Sequence, residues 1–89
     1  MADDAPPRIE FPCAYPIKVM GPNAEDFADM VLEIGRRHAP EVSRADLALR
    51  ASRNGRWLAV TLTIEARSAA QIEALFADLK ATGRVTLVL

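Results

Sequence analysis

The sequence predicts an α+β sandwich, in which a four-stranded antiparallel sheet carries two helices on one side. Segments with period-2 and period-3.6 apolar spacing follow one another in the order strand, helix, strand, strand, helix, strand. The dipeptide Asn54-Gly55 separates the second and third strand segments, and this pair favours a tight hairpin turn. The length of 89 residues allows one small domain with a single core.

The first twelve residues contain three prolines and few side chains suited to a core. We therefore expect residues 1–12 to form a flexible arm, whose end docks through Ile9 and Phe11. Residues 13–89 are expected to form the single domain.

The first strand is expected over residues 15–20, where side chains alternate between two faces. Ile17 and Val19 share the face that a core would cover, whereas Lys18 and Met20 point the opposite way. This strand therefore contributes to both sides of the sheet.

The stretch Gly21-Pro22-Asn23 is expected to end the strand. Asn23 is expected to be the N-cap of the following helix. Because free backbone amides at the start of a helix attract anions, Gly21 and Asn23 are also candidate binding residues.

The first helix is expected to bury one stripe about 100° wide. The stripe consists of Phe27, Met30, Val31, Ile34 and His38. Leu32 lies off the stripe and is expected to be exposed, and Pro40 ends the helix by Ala39. In the last turn His38 is expected to cap free carbonyl groups, and together with Arg37 it is a candidate contact for a ligand or partner.

In the hairpin, turn chemistry and apolar pattern predict the same register. A two-residue turn at Asn54-Gly55, with a positive φ at Gly55, places Ala51 opposite Leu58. The further core-facing pairs are Leu49 with Val60 and Leu47 with Leu62. The pairs on the other face are Ser52 with Trp57, Arg50 with Ala59, Ala48 with Thr61 and Asp46 with Thr63.

The second helix follows a capping-box pattern formed by Ser68 and Gln71, and Gly83 ends it. Its apolar stripe consists of Ile72, Leu75, Phe76 and Leu79. In the last strand the alternation predicts Val85, Leu87 and Leu89 in the core, with Thr86 and Val88 on the opposite face.

This order of elements, with right-handed crossovers, predicts a ferredoxin-like β-α-β-β-α-β sandwich with sheet order 4-1-3-2. Both helices then cover one side of the sheet, and we call the helix-free side the open face. Because large apolar patches are rare on monomers, the open face is the leading candidate for a binding surface. The candidate binding residues are Lys18, Met20, Arg50, Trp57, Ala59 and Thr61, with Ala48, Thr63, Thr86 and Val88 beside them.

Several short motifs occur in order along the chain: Phe11-Pro12 ahead of Tyr15, Ile17-Lys18-Val19-Met20-Gly21, Arg37-His38-Ala39-Pro40, residues 52–64, Gln71-Ile72-Glu73-Ala74-Leu75 and Val88-Leu89. Together they resemble the YbeD-like family of small bacterial domains, which have an ACT-like ferredoxin fold. The resemblance implies a small regulatory or adaptor protein, proposed in some members to bear on lipoate metabolism. It implies no catalytic residues.

Composition argues against several other classes of protein. Eleven Lys and Arg against twelve Asp and Glu give a net charge of -1, so no nucleic-acid binding is expected. No apolar run reaches the ~20 residues of a membrane helix and the first residues lack a signal-peptide core, so we expect a cytoplasmic protein without membrane contact. With Cys13 as the single cysteine, neither an internal disulfide nor a thiolate-based metal site is expected within one chain. We expect no metal site of another kind and no cofactor.

Two functional hypotheses follow. The first is a non-enzymatic regulatory or adaptor module that binds a protein partner, or a second copy of itself, through the open face. The alternative is an ACT-like sensor of a small carboxylate metabolite, bound near Gly21 to Asn23 or at a dimer interface. An enzyme with Cys13 as nucleophile and His38 as base lacks an identifiable carboxylate or oxyanion loop, so no enzymatic activity is expected.

Overall fold

The computed structural model describes residues 10–89, and the expectations for residues 1–9, including the docking of Ile9, lie outside this part of the chain. Phe11 is exposed and does not dock into the core. The strands are β1 (Cys13–Pro22), β2 (Leu47–Ala51), β3 (Trp57–Ala66) and β4 (Leu87–Val88). The helices are α1 (Phe27–His38) and α2 (Ala69–Ala81), and a short 3-10 turn, Arg44–Asp46, precedes β2.

The four strands form one antiparallel sheet in the order β2-β3-β1-β4. This is the predicted order, so the ferredoxin-like fold is confirmed. The core forms between the sheet and the two helices as one cluster of apolar side chains. Its largest fully buried members are Phe27, Val31, Ile17, Val19, Val60, Leu62, Ile64, Leu75 and Leu79.

The hairpin register is confirmed, with Ala51 opposite Leu58. The predicted two-residue turn is wrong, because both primed turns need a positive φ at the first central residue, and Asn54 has none although Gly55 has one, at 76°. Instead residues 53–56 form a four-residue loop, in which Gly55 N–H donates to the Ser52 carbonyl at 2.9 Å. Asn54 Oδ1 accepts from Arg56 N–H at 3.0 Å. The four-residue loop has the same two central residues, 54 and 55, as the predicted turn. The register of the strand pairs is therefore unchanged.

The first strand is longer than the sequence indicates. It continues through Gly21 and Pro22, which lie opposite Leu58 and Trp57 of β3. Proline is tolerated there because it is the last residue of the strand, where a missing N–H costs little. The expected break at residues 21–23 is therefore wrong, and the chain leaves the sheet only at Asn23.

The beginning of α1 also differs from the prediction. The helix begins at Phe27, and its N-cap is Asp26, whose side chain makes no capping hydrogen bond. Asn23 is not the cap, because the longer β1 carries it to the hairpin loop. There its Nδ2 donates to the Gly55 carbonyl at 2.9 Å, and its backbone N–H donates to the Arg56 carbonyl at 2.8 Å.

Leu32 of α1 is buried, contrary to the expectation from the helical wheel. The segment after α1 folds back along the helix, where Arg36 Nε donates to the Val42 carbonyl at 3.1 Å and Arg44 forms an ion pair with Asp29. A helical wheel identifies the side of a helix that packs on the sheet. The irregular segment after α1 packs on a second side of the helix, which the wheel does not identify.

The N-cap of α2 is Ser68, as predicted, and its Oγ accepts from Gln71 N–H at 3.1 Å. The reciprocal bond of a capping box is displaced by one residue, since Gln71 Oε1 accepts from Arg67 N–H at 2.5 Å. Ile72, Leu75 and Leu79 are buried and Phe76 is partly buried, which is the predicted stripe.

The facing of β4 is the reverse of the prediction. Val88 is buried opposite Val19, whereas Leu87 lies opposite Met20 on the open face and Leu89 is also exposed. The cause is a β-bulge: Thr86 N–H donates to the Met20 carbonyl at 2.8 Å, so that Thr86 and Leu87 both lie opposite one residue of β1. One extra residue exchanges the two faces of all that follows.

Candidate functional site

The open face is formed by alternate side chains of all four strands, aligned in rows by the strand pairing. One row contains Arg50, Ala59, Met20 and Leu87. The next row contains Ala48, Thr61, Lys18 and Leu89. Five of the six candidate binding residues therefore lie in two adjacent rows, and the sixth, Trp57, lies in the next row.

These six residues line one open concavity of about 680 Å³. Its floor is low because Ala59 of the inner strand β3 and Ala48 of the edge strand β2 carry only methyl groups. Trp57 lies one row nearer the hairpin loop, opposite Pro22, and Met20 lies beside Ala59 on β1. Short side chains between long ones thus make a depression in an otherwise flat sheet.

Large apolar side chains are exposed in this concavity and farther along the open face. Trp57 and Leu49, which line the concavity, are 42% and 57% exposed, and Leu87 and Leu89 of the far strand are 45% and 62% exposed. The sequence predicted all three leucines to face the core, and that prediction is wrong. The triplet Leu87-Val88-Leu89 is apolar at every position, so alternation cannot distinguish its two faces. Conversely, Val88, which was expected on the open face, belongs to the core.

The charge lining the concavity has one sign. Lys18 and Arg50 are the only charged residues among the described residues that line it. Within residues 10–89 neither side chain forms an ion pair. Arg84 differs, since it forms a two-bond pair with Asp26, with Nη1 to Oδ2 at 3.1 Å and Nη2 to Oδ1 at 2.6 Å. The hydrogen bond from Arg84 lowers the pKa of Asp26, and the same bond raises the pKa of Arg84.

The other candidate residues do not form one site. Gly21 and Asn23 lie before the start of α1, whereas Arg37 and His38 lie at its end, about 18 Å away for twelve residues of helix. Gly21 is buried in β1. A Cβ there would lie 2.7 and 2.8 Å from two atoms of the Phe27 ring and would also meet the Arg84 carbonyl, so the glycine permits close packing. No anion-binding loop is formed at Gly21, because the chain is still in the strand.

His38 connects the two helices instead of capping its own. Its Nε2 lies 2.6 Å from Asp78 Oδ2 of α2, and its carbonyl accepts from Gln71 Nε2 at 2.8 Å. Arg37 is exposed and lies 3.9 Å from Glu33, one helical turn earlier. Both residues therefore have structural partners on the helices.

Cys13 lies at the start of β1 with a free, partly buried thiol. It borders a second concavity of about 480 Å³, whose other lining residues include Glu41, Asp46 and Glu65 but not His38. The structure thus gives His38 a partner other than Cys13.

In the part of the chain that the structure describes, no group of three or more His, Cys, Asp or Glu residues is placed to hold a metal ion. Neither described helix has the length and apolarity needed to cross a bilayer.

Fold and surface together define a small ferredoxin-like domain in which residues 10–89 leave one face of the sheet uncovered. Residues 6–89 match a family described as "Protein of unknown function (DUF493)". A UPF0250 protein of Ectopseudomonas mendocina is 51% identical over 89 residues, covering 99% of this chain and 97% of the relative. Another, of Azotobacter vinelandii, is 54% identical over 84 residues, covering 93% of this chain and 91% of the relative. The chain belongs to the DUF493/UPF0250 family, to which YbeD also belongs, so the resemblance seen in the motifs is confirmed.

A solved structure agrees with the fold. The solution structure of protein HP0495 from H. pylori superimposes with a TM-score of 0.77 at 16% identity, covering 98% of this chain and 91% of that chain. At this identity the likeness concerns the fold alone.

Proposed function

We propose that this chain is a small, non-enzymatic, cytoplasmic regulatory or adaptor protein that binds a protein partner through the open face. The observation that carries the proposal is the concavity of about 680 Å³, whose lining includes Trp57 and Met20, neither of which a described helix covers. Removing such side chains from water stabilises a complex by roughly 25 cal/mol for each Å² of apolar surface.

The composition of this surface also supports binding to a protein. Binding energy at protein interfaces concentrates on a few aromatic, Met and Arg side chains near the centre of the contact. The open face brings together Trp57, Met20 and Arg50 around an alanine floor. A partner side chain seated on Ala59 would contact all three.

A second candidate is a sensor of a small carboxylate metabolite, and the observation in its favour is the pair of unpaired cations, Lys18 and Arg50, in the same concavity. The volume lies in the range of about 300–1,000 Å³ that small-molecule sites occupy. This version of the sensor uses the open face and not the segment at Gly21 to Asn23.

The test of the first proposal is the variant Met20→Asp. We expect its free energy of unfolding to fall by no more than about 1 kcal/mol, because Met20 lies on the open face outside the core. Capture of partner proteins on the immobilised chain is expected to be lost, since a complex would bury an unpaired carboxylate. The matched control is Ala77→Asp, which adds the same charge at an exposed position of α2.

Circular-dichroism melting and sedimentation of both variants accompany the capture experiment. Unchanged capture by a folded Met20→Asp variant would remove the open face as the binding surface. Equal loss with Ala77→Asp would assign the effect to net charge. For the metabolite sensor, a screen of small carboxylates is expected to raise the melting temperature of wild type but not of an Arg50→Gln variant, because ligands that bind only the native state stabilise it.

A further inference from the structure

We infer that the partner presents an acidic, extended polypeptide segment to the open face, with two carboxylates four residues apart and an apolar side chain midway between them. This inference rests on the proposed function and specifies the chemistry of the partner. It follows from the sign, the spacing and the surroundings of the two cations in the concavity.

The sign of the charge selects an anionic partner. The concavity contains Lys18 and Arg50 and no acidic lining residue in the described chain. Arg53 and Arg56 lie in the hairpin loop next to it, and neither forms an ion pair with any residue from 10 to 89. Most other arginines of the described chain have an acidic partner, as Arg84 has Asp26. Uncompensated positive charge is thus concentrated at one end of one face.

The spacing of the two cations selects an extended segment. Arg50 is two strands away from β1 and its row is two residues away from that of Lys18. Strand spacing and rise per residue therefore place their Cβ atoms about 12 Å apart. In an extended chain, side chains four residues apart point the same way and lie about 13 Å apart. The side chain midway between them faces Ala59 and Thr61, where the floor is low.

A second copy of this chain fits this surface poorly. Two open faces stacked about a two-fold axis through the concavity would bring Lys18 and Arg50 of one copy against the same cations of the other, and like charges facing each other in an interface oppose association. The partner is therefore a different polypeptide that supplies the missing carboxylates.

The experiment is an NMR titration of the isotope-labelled chain with three matched peptides at low ionic strength. Each peptide has a core of the form X-Thr-Leu-Thr-X with Gln-rich flanks, where X is Glu, Gln or Lys. We expect the Glu peptide to shift the backbone amide signals of Lys18, Arg50 and Ala59. It is expected to bind about tenfold more tightly than the Gln peptide, and the Lys peptide more weakly than either. Added salt is expected to remove the preference for Glu.

A charge-reversed chain, Lys18→Glu with Arg50→Glu, gives the complementary result. We expect it to prefer the Lys peptide over the Glu peptide by a similar factor. The control is Lys80→Glu, a single reversal on α2, outside the open face, which is expected to leave the order of the three peptides unchanged. Amide spectra of both variants report whether each remains folded.

The outcomes separate this inference from the proposed function. Equal binding of the Glu and Gln peptides at the open face would overturn the acidic partner and leave the protein-binding face in place. No shift of open-face amides by any peptide would overturn the extended acidic segment, whereas the capture experiment with Met20→Asp decides separately whether the open face binds a protein. If free glutarate shifts the same amides at the same concentration as the Glu peptide, the source of the carboxylates is a small molecule, and the polypeptide partner is overturned.

Discussion

Gly55 is the residue of the hairpin loop whose backbone adopts a positive φ. Its φ is 76°, and a Cβ at this position would have no heavy atom within 4 Å. Any cost of substitution therefore arises from the backbone and not from a clash. We expect Gly55→Val to lower the free energy of unfolding by about 1–3 kcal/mol, because a β-branched residue resists positive φ.

The matched substitution is Gly55→Asn, since asparagine tolerates this backbone region far better than valine. Urea midpoints of the two variants and the wild type give the measurement. The expected order of stability is wild type, then Asn, then Val. Equal midpoints for Val and wild type would contradict a strained position at residue 55.

Asn23 shows where sequence reasoning about single residues stops. Asparagine before an apolar stripe is typical of an N-cap, and the local sequence at residues 23–27 fits that interpretation. The residue caps nothing here, because pairing with β3 extends β1 to Pro22 and brings Asn23 to Gly55. A tertiary contact 32 residues away in sequence outweighs the local preference.

At the scale of elements, β4 offers a direct test of the bulge. We expect Val88→Asp to lower the free energy of unfolding by about 2–5 kcal/mol, because it places a charge in the core. Leu87→Asp, with the same chemistry on the adjacent residue, is expected to cost less than about 1 kcal/mol. Chemical denaturation of both variants measures the difference. A larger loss of stability for Leu87→Asp than for Val88→Asp would mean that β4 has no bulge. Leu87 would then face the core and not the open face.

The ion pair between Asp26 and Arg84 joins the start of α1 to the segment before β4. Because the pair lowers the pKa of Asp26 in the folded state, its contribution to stability is present above the ordinary aspartate pKa. That contribution is lost as the pH falls through the lowered value. We expect Asp26→Asn to be less stable than wild type at neutral pH and to approach it as the pH falls through the lowered pKa of Asp26.

Urea midpoints at neutral and acidic pH measure this difference, and Glu25→Asn, which alters a neighbouring exposed carboxylate, is the control. A difference between Asp26→Asn and wild type that does not change with pH would mean that the pair adds nothing beyond the shape of the side chain.

Elements whose local signals agree were predicted well. The hairpin register follows from a turn and an apolar pattern that point to the same pairing, so replacing a two-residue turn with a four-residue loop left it intact. In β4 the only signal was the alternation of apolar and polar residues. Leu87-Val88-Leu89 is apolar throughout, so alternation does not show which of these side chains face the core. Leu32 was misplaced for a related reason, since an irregular segment covers it and such segments have no periodicity.

For the whole molecule, the sequence predicts that residues 1–7 add nothing to the stability of the domain. Their removal is expected to change the free energy of unfolding by less than about 1 kcal/mol, because they contain no periodic apolar residue. Denaturant titration of the shortened chain measures it. A larger loss would mean that this segment packs on the domain.

The six open-face candidates came from alternation alone, and the structure places them together because facing in a strand is a local property. Their arrangement around a concavity depends on pairing between strands, which follows from the fold. The separation of Gly21 and Asn23 from Arg37 and His38 could have been inferred from the length of the first helix. The position of Leu87 on the open face could not have been inferred, because a β-bulge cannot be recognised in a run of apolar residues.

The two hydrogen bonds that Asn23 makes to the hairpin loop have a consequence for motion. Hairpin tips are commonly mobile on the nanosecond to microsecond scale, but this one is tied to the chain just ahead of α1 at Gly55 and Arg56. The backbone next to Trp57 is therefore held in position before any encounter. A molecule that binds to this side of the sheet does not have to immobilise a moving loop. The loss of conformational entropy on binding is therefore small.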